Sequence, residues 1–128
     1  MNLLLDTHLL LWAASEPARL SKKARDLLLD PTNRLMFSSA SLWEIGIKRN
    51  LGRDDFRVDP RRFWRLLLVH GYQEVTIGSE HALVASELPA HHKDPFDRIL
   101  IAQARVERLT LLTVDKVMAK YGQPVLKV

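Results

Sequence analysis

The sequence contains no cysteine and no long apolar run. The lack of cysteine in 128 residues excludes disulfide bridges, thiolate-held zinc and a cysteine nucleophile, and it agrees with a reducing compartment. The longest apolar stretch is Leu9 to Ala14, far short of the roughly 18 residues that a membrane-spanning helix needs. We therefore expect a cytoplasmic protein in which only His, Asp or Glu side chains are available to hold a metal.

Composition and length predict one ordinary globular domain over residues 1–128. Hydrophobic residues make up 47% of the chain and charged residues 27%, close to the averages of folded domains. A chain of this size is long enough to bury one core. The formal net charge of +4 favours attraction to polyanions, a property shared by many proteins that bind no nucleic acid.

Short apolar runs alternate along the chain with segments of helical pattern. We predict strands over residues 2–5, 35–37, 74–77, 110–114 and 124–128. We predict helices over residues 7–14, 22–29, 39–52, 60–70, 79–87, 94–109 and 116–120, with a polar surface loop at 54–59 and a connector at 89–93. Strands separated by helices need crossover connections, so the pattern predicts a three-layer α/β/α fold around a central, mainly parallel sheet.

Four acidic residues fall where such a sheet would gather them. Asp6 and Asp115 each directly follow a predicted strand, Glu44 lies in the helix after the second strand, and Asp97 lies in the first turn of the helix before the Asp115 strand. Ligands of open parallel sheets bind beyond the carboxyl ends of the strands. We expect the four carboxylates to meet at that edge.

Each acid also has a purely structural interpretation. Asp is a preferred N-cap, which accounts for Asp6 and Asp115 as well as for Asp94 ahead of Pro95. Glu44 could form a solvated ion pair with Lys48, four residues further along the same helix. That helix is apolar nearly all round, however, which favours a carboxylate facing a cleft or a specific partner.

A cluster of four carboxylates would need a cation. Two unit charges 4 Å apart repel by about 4 kcal/mol at an effective dielectric constant of 20. Oxygen ligands without thiolates favour Mg²⁺ or Mn²⁺ over zinc. The pair His91 and His92 suggests zinc only weakly, because adjacent side chains point in different directions. We interpret these histidines as part of a solvated connector, with a contribution to the acidic site left open.

Four motifs follow one another along the chain: LLLDTHLLLW at 3–12, SASLWEIGIKRNLG at 39–52, HHKDPFDRILIAQA at 91–104 and LLTVD at 111–115. In sequence and in order they resemble the motifs of the PIN-domain ribonucleases, and specifically those of the toxins of VapBC-type toxin–antitoxin pairs. The resemblance covers essentially the whole chain. After Asp115 the family often continues with a polar residue and an aromatic one, where this chain has Lys116-Val117-Met118.

The resemblance implies a magnesium-dependent endoribonuclease that acts as a toxin, with manganese as a substitute ion. Asp6, Glu44, Asp97 and Asp115 match the four acids of the family's catalytic metal site, and Asp97 fits the third position better than Asp94. The resemblance further implies supporting roles for Asp94, Thr7 and Thr113, a transfer or ribosomal RNA substrate, a cognate antitoxin and a homodimer.

Other α/β classes fit the sequence less well. A phosphate-accepting receiver domain would need an acidic pair after the first strand, where this chain has Thr7-His8, and an acceptor Asp after a middle strand. A phosphatase of the haloacid dehalogenase type would need an aspartate at the position of His8. The strongest alternative is a protein that keeps the PIN fold but binds RNA or another protein without catalysis.

Overall fold

The structure is a computed structural model that describes residues 1–128. Its strands are β1 Asn2–Leu5, β2 Arg34–Ser38, β3 Gln73–Val75, β4 Thr110–Thr113 and β5 Val125–Lys127. Its helices are α1 Thr7–Ser15, α2 Lys22–Leu29, α3 Ser39–Asn50, α4 Pro60–Val69, α5 Ser79–Glu87, α6 Pro95–Glu107 and α7 Lys116–Ala119, with a 3₁₀ turn at Pro17–Arg19. None of the helices combines the length and apolarity that crossing a membrane would require.

The five strands form one sheet in the order β3-β2-β1-β4-β5, and every neighbouring pair is parallel. β1 and β4 lie side by side at the centre, with Leu5 in register with Leu112. The residues that follow β1 and β4 therefore emerge next to each other at the same edge. The predicted α/β class with a parallel sheet is confirmed.

Two hydrophobic clusters cover the two faces of the sheet. Leu3 and Leu5 of β1 pack with residues of α1 to α4, whereas Leu4 packs with residues of α5, α6 and α7. All three leucines are fully buried. Alternate residues of a strand point to opposite faces, so a continuous apolar run is typical of a strand covered on both sides.

Capping side chains set most helix starts close to where the sequence predicts them. Ser21, Asp59 and Asp94 each accept a backbone N–H of the first helical turn. The prediction was wrong for the loop at 54–59, which is not wholly at the surface, because Phe56 is fully buried in the larger cluster. A single aromatic residue among charged neighbours gives no periodic signal.

Candidate active site

Asp6 and Asp115 lie at the carboxyl end of the sheet, directly beyond the two central strands. The backbone N–H of Asp6 donates to the Leu112 carbonyl, which extends the β1–β4 pairing up to the acid itself. From β4 the Thr113 hydroxyl reaches across and donates to Asp6 Oδ2. The two strands thus bring acids more than a hundred positions apart to one edge.

Both aspartates cap a helix with one oxygen and keep the other for the site. Asp6 Oδ1 accepts the backbone N–H of Leu9 at 2.9 Å, and Asp115 Oδ1 accepts that of Val117 at 2.7 Å. Their Oδ2 atoms contact Thr113 and His92 instead. The capping interpretation is therefore correct without excluding a functional one, because the cap fixes the orientation of the second oxygen.

Packing between α3 and α6 brings Glu44 and Asp97 to the same edge. The rings of Trp43 and Phe96, each one residue before an acid, meet edge to face with centroids 5.4 Å apart. The Thr7 hydroxyl at the start of α1 donates to Ser41 Oγ on α3 at 2.9 Å. This buried bond between helices, rather than a carboxylate contact, is the role that the structure gives Thr7.

The charges of the acids act on one another most strongly at Asp97. Burial, followed by the nearby charges of Asp94, Glu44, Asp6 and Asp115, raises the pKa of Asp97 to about 8. Burial also raises the pKa of Asp6, while hydrogen bonds from Thr113 and from the Leu9 N–H oppose that rise. The other three predicted site acids, together with Asp94, are therefore close enough to influence Asp97.

Glu44 carries an oxygen that nothing in the protein satisfies. Its Oε2 accepts a short 2.5 Å hydrogen bond from Lys48 Nζ, but its buried Oε1 has no partner. The predicted ion pair thus exists, although it is buried rather than solvated, since the Glu44 side chain is only 4% exposed. An unpartnered buried carboxylate oxygen is costly. Among three further acids, this oxygen fits a hard divalent cation.

His92 is a residue whose contribution to the acidic site the sequence left open. Its Nε2 lies 2.8 Å from Asp97 Oδ2 and 3.3 Å from Asp115 Oδ2, so its ring bridges two of the four acids. His91 points elsewhere and packs edge to face on the ring of Tyr121. The interpretation of both residues as a solvated connector is wrong for His92, whose side chain is only 18% exposed. The divergent directions of the two rings agree with the argument against a zinc site made by the pair.

A wide cleft lies at the opposite edge of the sheet. It has a volume of about 630 Å³ and is lined by the starts of β4 and β5 and the end of α6. No carboxylate lines it. This cleft and the acids therefore lie at opposite edges of the sheet. The carboxylates that could bind a metal are at the carboxyl edge.

Fold and site together define a class of protein: a three-layer α/β domain with a parallel sheet and an acidic cluster, buried at Asp6 and Glu44, beyond its central strands. A family model for the PIN domain matches residues 3–124. The chain belongs to the PIN domain family, and the predicted resemblance to that family is confirmed. Comparison with curated protein sequences gives no match.

Solved structures with the same fold include several toxin–antitoxin proteins. A chain of VapBC2 from Rickettsia felis, bound to a DNA fragment from its promoter, shares 16% identity at a TM-score of 0.69, over 100% of this chain and 98% of that one. VapC20 from Mycobacterium tuberculosis is a toxin that cleaves the sarcin–ricin loop. It shares 14% sequence identity at a TM-score of 0.66, over 94% of this chain and 95% of that one. VapBC-1 from nontypeable Haemophilus influenzae shares 17% sequence identity at a TM-score of 0.64, over 100% of this chain and 97% of that one. At these identities the likeness is one of fold.

Proposed function

We propose that this protein is a divalent-metal-dependent endoribonuclease and the toxin of a toxin–antitoxin pair. The observation that carries the proposal is the buried Glu44 Oε1, which has no partner, on an acid whose charge helps to raise the pKa of Asp97. Family membership supports the nuclease assignment. The toxin–antitoxin complexes among proteins of the same fold support the role as a toxin and a cognate antitoxin as partner.

Asp6, Glu44, Asp97 and Asp115 are the residues that we propose to hold the metal. Mg²⁺ or Mn²⁺ bound by them would orient a phosphodiester, activate water as the nucleophile and offset the charge on the leaving oxygen. Asp6 and Asp115 are suited to this task because their helix caps fix the carboxylate planes. Thr113 holds Asp6 Oδ2 in place and accepts the backbone N–H of Asp115, so one hydroxyl orients both acids.

The substrate that we propose is a structured RNA, transfer or ribosomal. VapC20, which shares the fold, cleaves the sarcin–ricin loop. A cleft of about 500 Å³ along α3 and α4 is lined by Arg49, Arg57 and Arg62, together with Asp59. Arginine side chains bind phosphates through bidentate hydrogen bonds, so this cleft offers a path for the RNA backbone. Homodimerisation stays a prediction from the family resemblance.

Cleavage of RNA by the purified, antitoxin-free protein tests the proposal. We expect transfer and ribosomal RNA to be cut when Mg²⁺ or Mn²⁺ is present and to stay intact when EDTA removes the metal. We expect Asp6→Asn to lose at least about a hundredfold in rate, because changes that merely disturb the support of a metal ligand already cost about 10- to 100-fold. Asparagine keeps the cap to Leu9, so the variant should fold.

Asp26→Asn is the matched control, since Asp26 is an exposed aspartate that pairs with Lys22 on α2. It should cleave RNA like the unmodified protein. Expression of the unmodified chain or of Asp26→Asn in bacteria should arrest growth, whereas Asp6→Asn should not. RNA binding without cleavage at any metal concentration would instead show a catalytically inactive binding module.

A further inference from the structure

The connector between α5 and α6 is held rigidly beside the acidic site. Arg98, the residue after Asp97, donates from its guanidinium to the carbonyls of Ala85, Leu88, Pro89 and His92 and to the Tyr121 hydroxyl. Tyr121 in turn donates to the Pro89 carbonyl at 2.7 Å and accepts the backbone N–H of His92 at 3.0 Å. The backbone of His92 is therefore fixed from both sides.

The hydrogen bonds of the His92 ring define its tautomer. The backbone N–H of Asp94 lies 3.3 Å from Nδ1, and because that group can only donate, Nδ1 must accept. The proton of a neutral ring with an accepting Nδ1 is on Nε2. Nε2 faces Asp97 Oδ2 at 2.8 Å and Asp115 Oδ2 at 3.3 Å. Both neighbouring atoms are carboxyl oxygens, whose lone pairs can accept an N–H at that position.

This arrangement argues against His92 as a metal ligand. A ligating histidine offers the lone pair of one nitrogen and donates the N–H of the other to a carboxylate or carbonyl. In this chain the second nitrogen faces a backbone N–H, so the ring has no acceptor for a proton on Nδ1. In that tautomer the nitrogen nearest the acids carries the proton, and Asp97 Oδ2 lies 2.8 Å from it.

We propose that His92 is a positioning residue, whose Nε2–H binds Asp97 Oδ2 and thereby holds the other Asp97 oxygen toward the metal. The same N–H lies within reach of Asp115 Oδ2, so one donor ties the acids of α6 and α7 together. The inference rests on the proposed function, since it assigns a role within the proposed metal site.

Mg²⁺ titration of the metal-free protein, followed by NMR with ¹⁵N-labelled histidine, tests the proposal. We expect the signals of His92 to show a protonated Nε2 and an unprotonated Nδ1, both before and after Mg²⁺ is added. We expect His92→Ala to weaken Mg²⁺ binding by about 10- to 100-fold, the usual effect of losing a residue that supports a metal ligand. His92→Gln keeps an N–H donor and should restore most of that loss.

His91→Ala is the control, because His91 is the adjacent exposed histidine and its ring contacts Tyr121 rather than an acid. It should bind Mg²⁺ like the unmodified protein. A proton on Nδ1, loss of the Nε2 proton when Mg²⁺ binds, or equal Mg²⁺ affinity in the two alanine variants would overturn the inference. Those results would leave the proposed function intact if RNA is still cleaved. No Mg²⁺ binding by the unmodified chain would refute the proposed metal site itself.

Discussion

Asp97→Asn is expected to inactivate the protein and, without metal, to make it more stable. The carboxylate is buried among four other acids, and its pKa of about 8 shows that the folded protein disfavours its charge. Asparagine has nearly the same shape and no charge. We expect RNA cleavage to fall by at least about a hundredfold and the free energy of unfolding at pH 7 to rise by about 2 to 3 kcal/mol.

The stabilisation that Asp97→Asn brings to the metal-free protein should increase as the pH rises. Between the ordinary pKa of an aspartate and about 8, folded Asp97 holds a proton that the unfolded chain has released. The stability of the metal-free protein should therefore fall as the pH rises through that range. The fall should be smaller in Asp97→Asn, with the two chains differing least near pH 4 and most near pH 8.

Urea unfolding at several pH values in EDTA measures this difference, with Asp26→Asn as the control for loss of an exposed charge. Adding Mg²⁺ should reduce the difference in the free energy of unfolding between the unmodified chain and Asp97→Asn. An ion that binds only the folded state stabilises the unmodified chain, whose metal site is intact. An Asp97→Asn variant that is both inactive and less stable than the unmodified chain at pH 8 would count against a crowded acidic site.

Arg98→Ala is expected to have the largest effect on stability outside the core. The Arg98 guanidinium donates to four backbone carbonyls and one hydroxyl, and its removal leaves these acceptors without their partner. Hydrogen bonds to charged groups contribute about 1.5 to 3 kcal/mol each and are not additive. We expect a net loss of about 2 to 4 kcal/mol in urea unfolding.

Arg98→Lys should recover only part of this loss, because an ammonium group cannot reproduce the planar fork that reaches Ala85 and Pro89 together. Arg105→Ala is the control, since Arg105 is an exposed arginine further along the same helix. Equal stabilities of Arg98→Ala and Arg105→Ala would show that the connector is not held by Arg98. Because Arg98 also fixes His92, its loss should weaken Mg²⁺ binding as well.

The sequence predicted the strands and most helix bounds because local signals define them. Ser21, Asp59 and Asp94 are caps whose preference is intrinsic, and the apolar run of β1 reports burial on both faces. It did not predict the burial of Phe56 or the 3₁₀ turn at Pro17–Arg19, because neither has a periodic pattern.

The sequence predicted where the acids of the candidate site lie, but not how His92 and Lys48 are placed around them. Asp6 and Asp115 follow strands, so the geometry of a parallel sheet places them together. The backbone of His92 is held beside α6 by Arg98 and by Tyr121, and the contact with Tyr121 joins segments distant in the sequence. The sequence offered Lys48 as a solvated partner of Glu44, but the burial of Glu44 in that pair depends on tertiary packing that helical spacing does not encode.

The position of a bound ion is the sharpest test of the proposed metal site. Crystals of the antitoxin-free protein soaked in Mn²⁺ and measured at the manganese absorption edge would locate the metal by anomalous scattering. We predict a peak bound by oxygens of Asp6, Asp97 and Asp115, with Glu44 Oε1 facing it and no nitrogen of His92 bound to it. A peak elsewhere on the surface, or no peak at a Mn²⁺ concentration that supports cleavage, would contradict a metal site at these four acids.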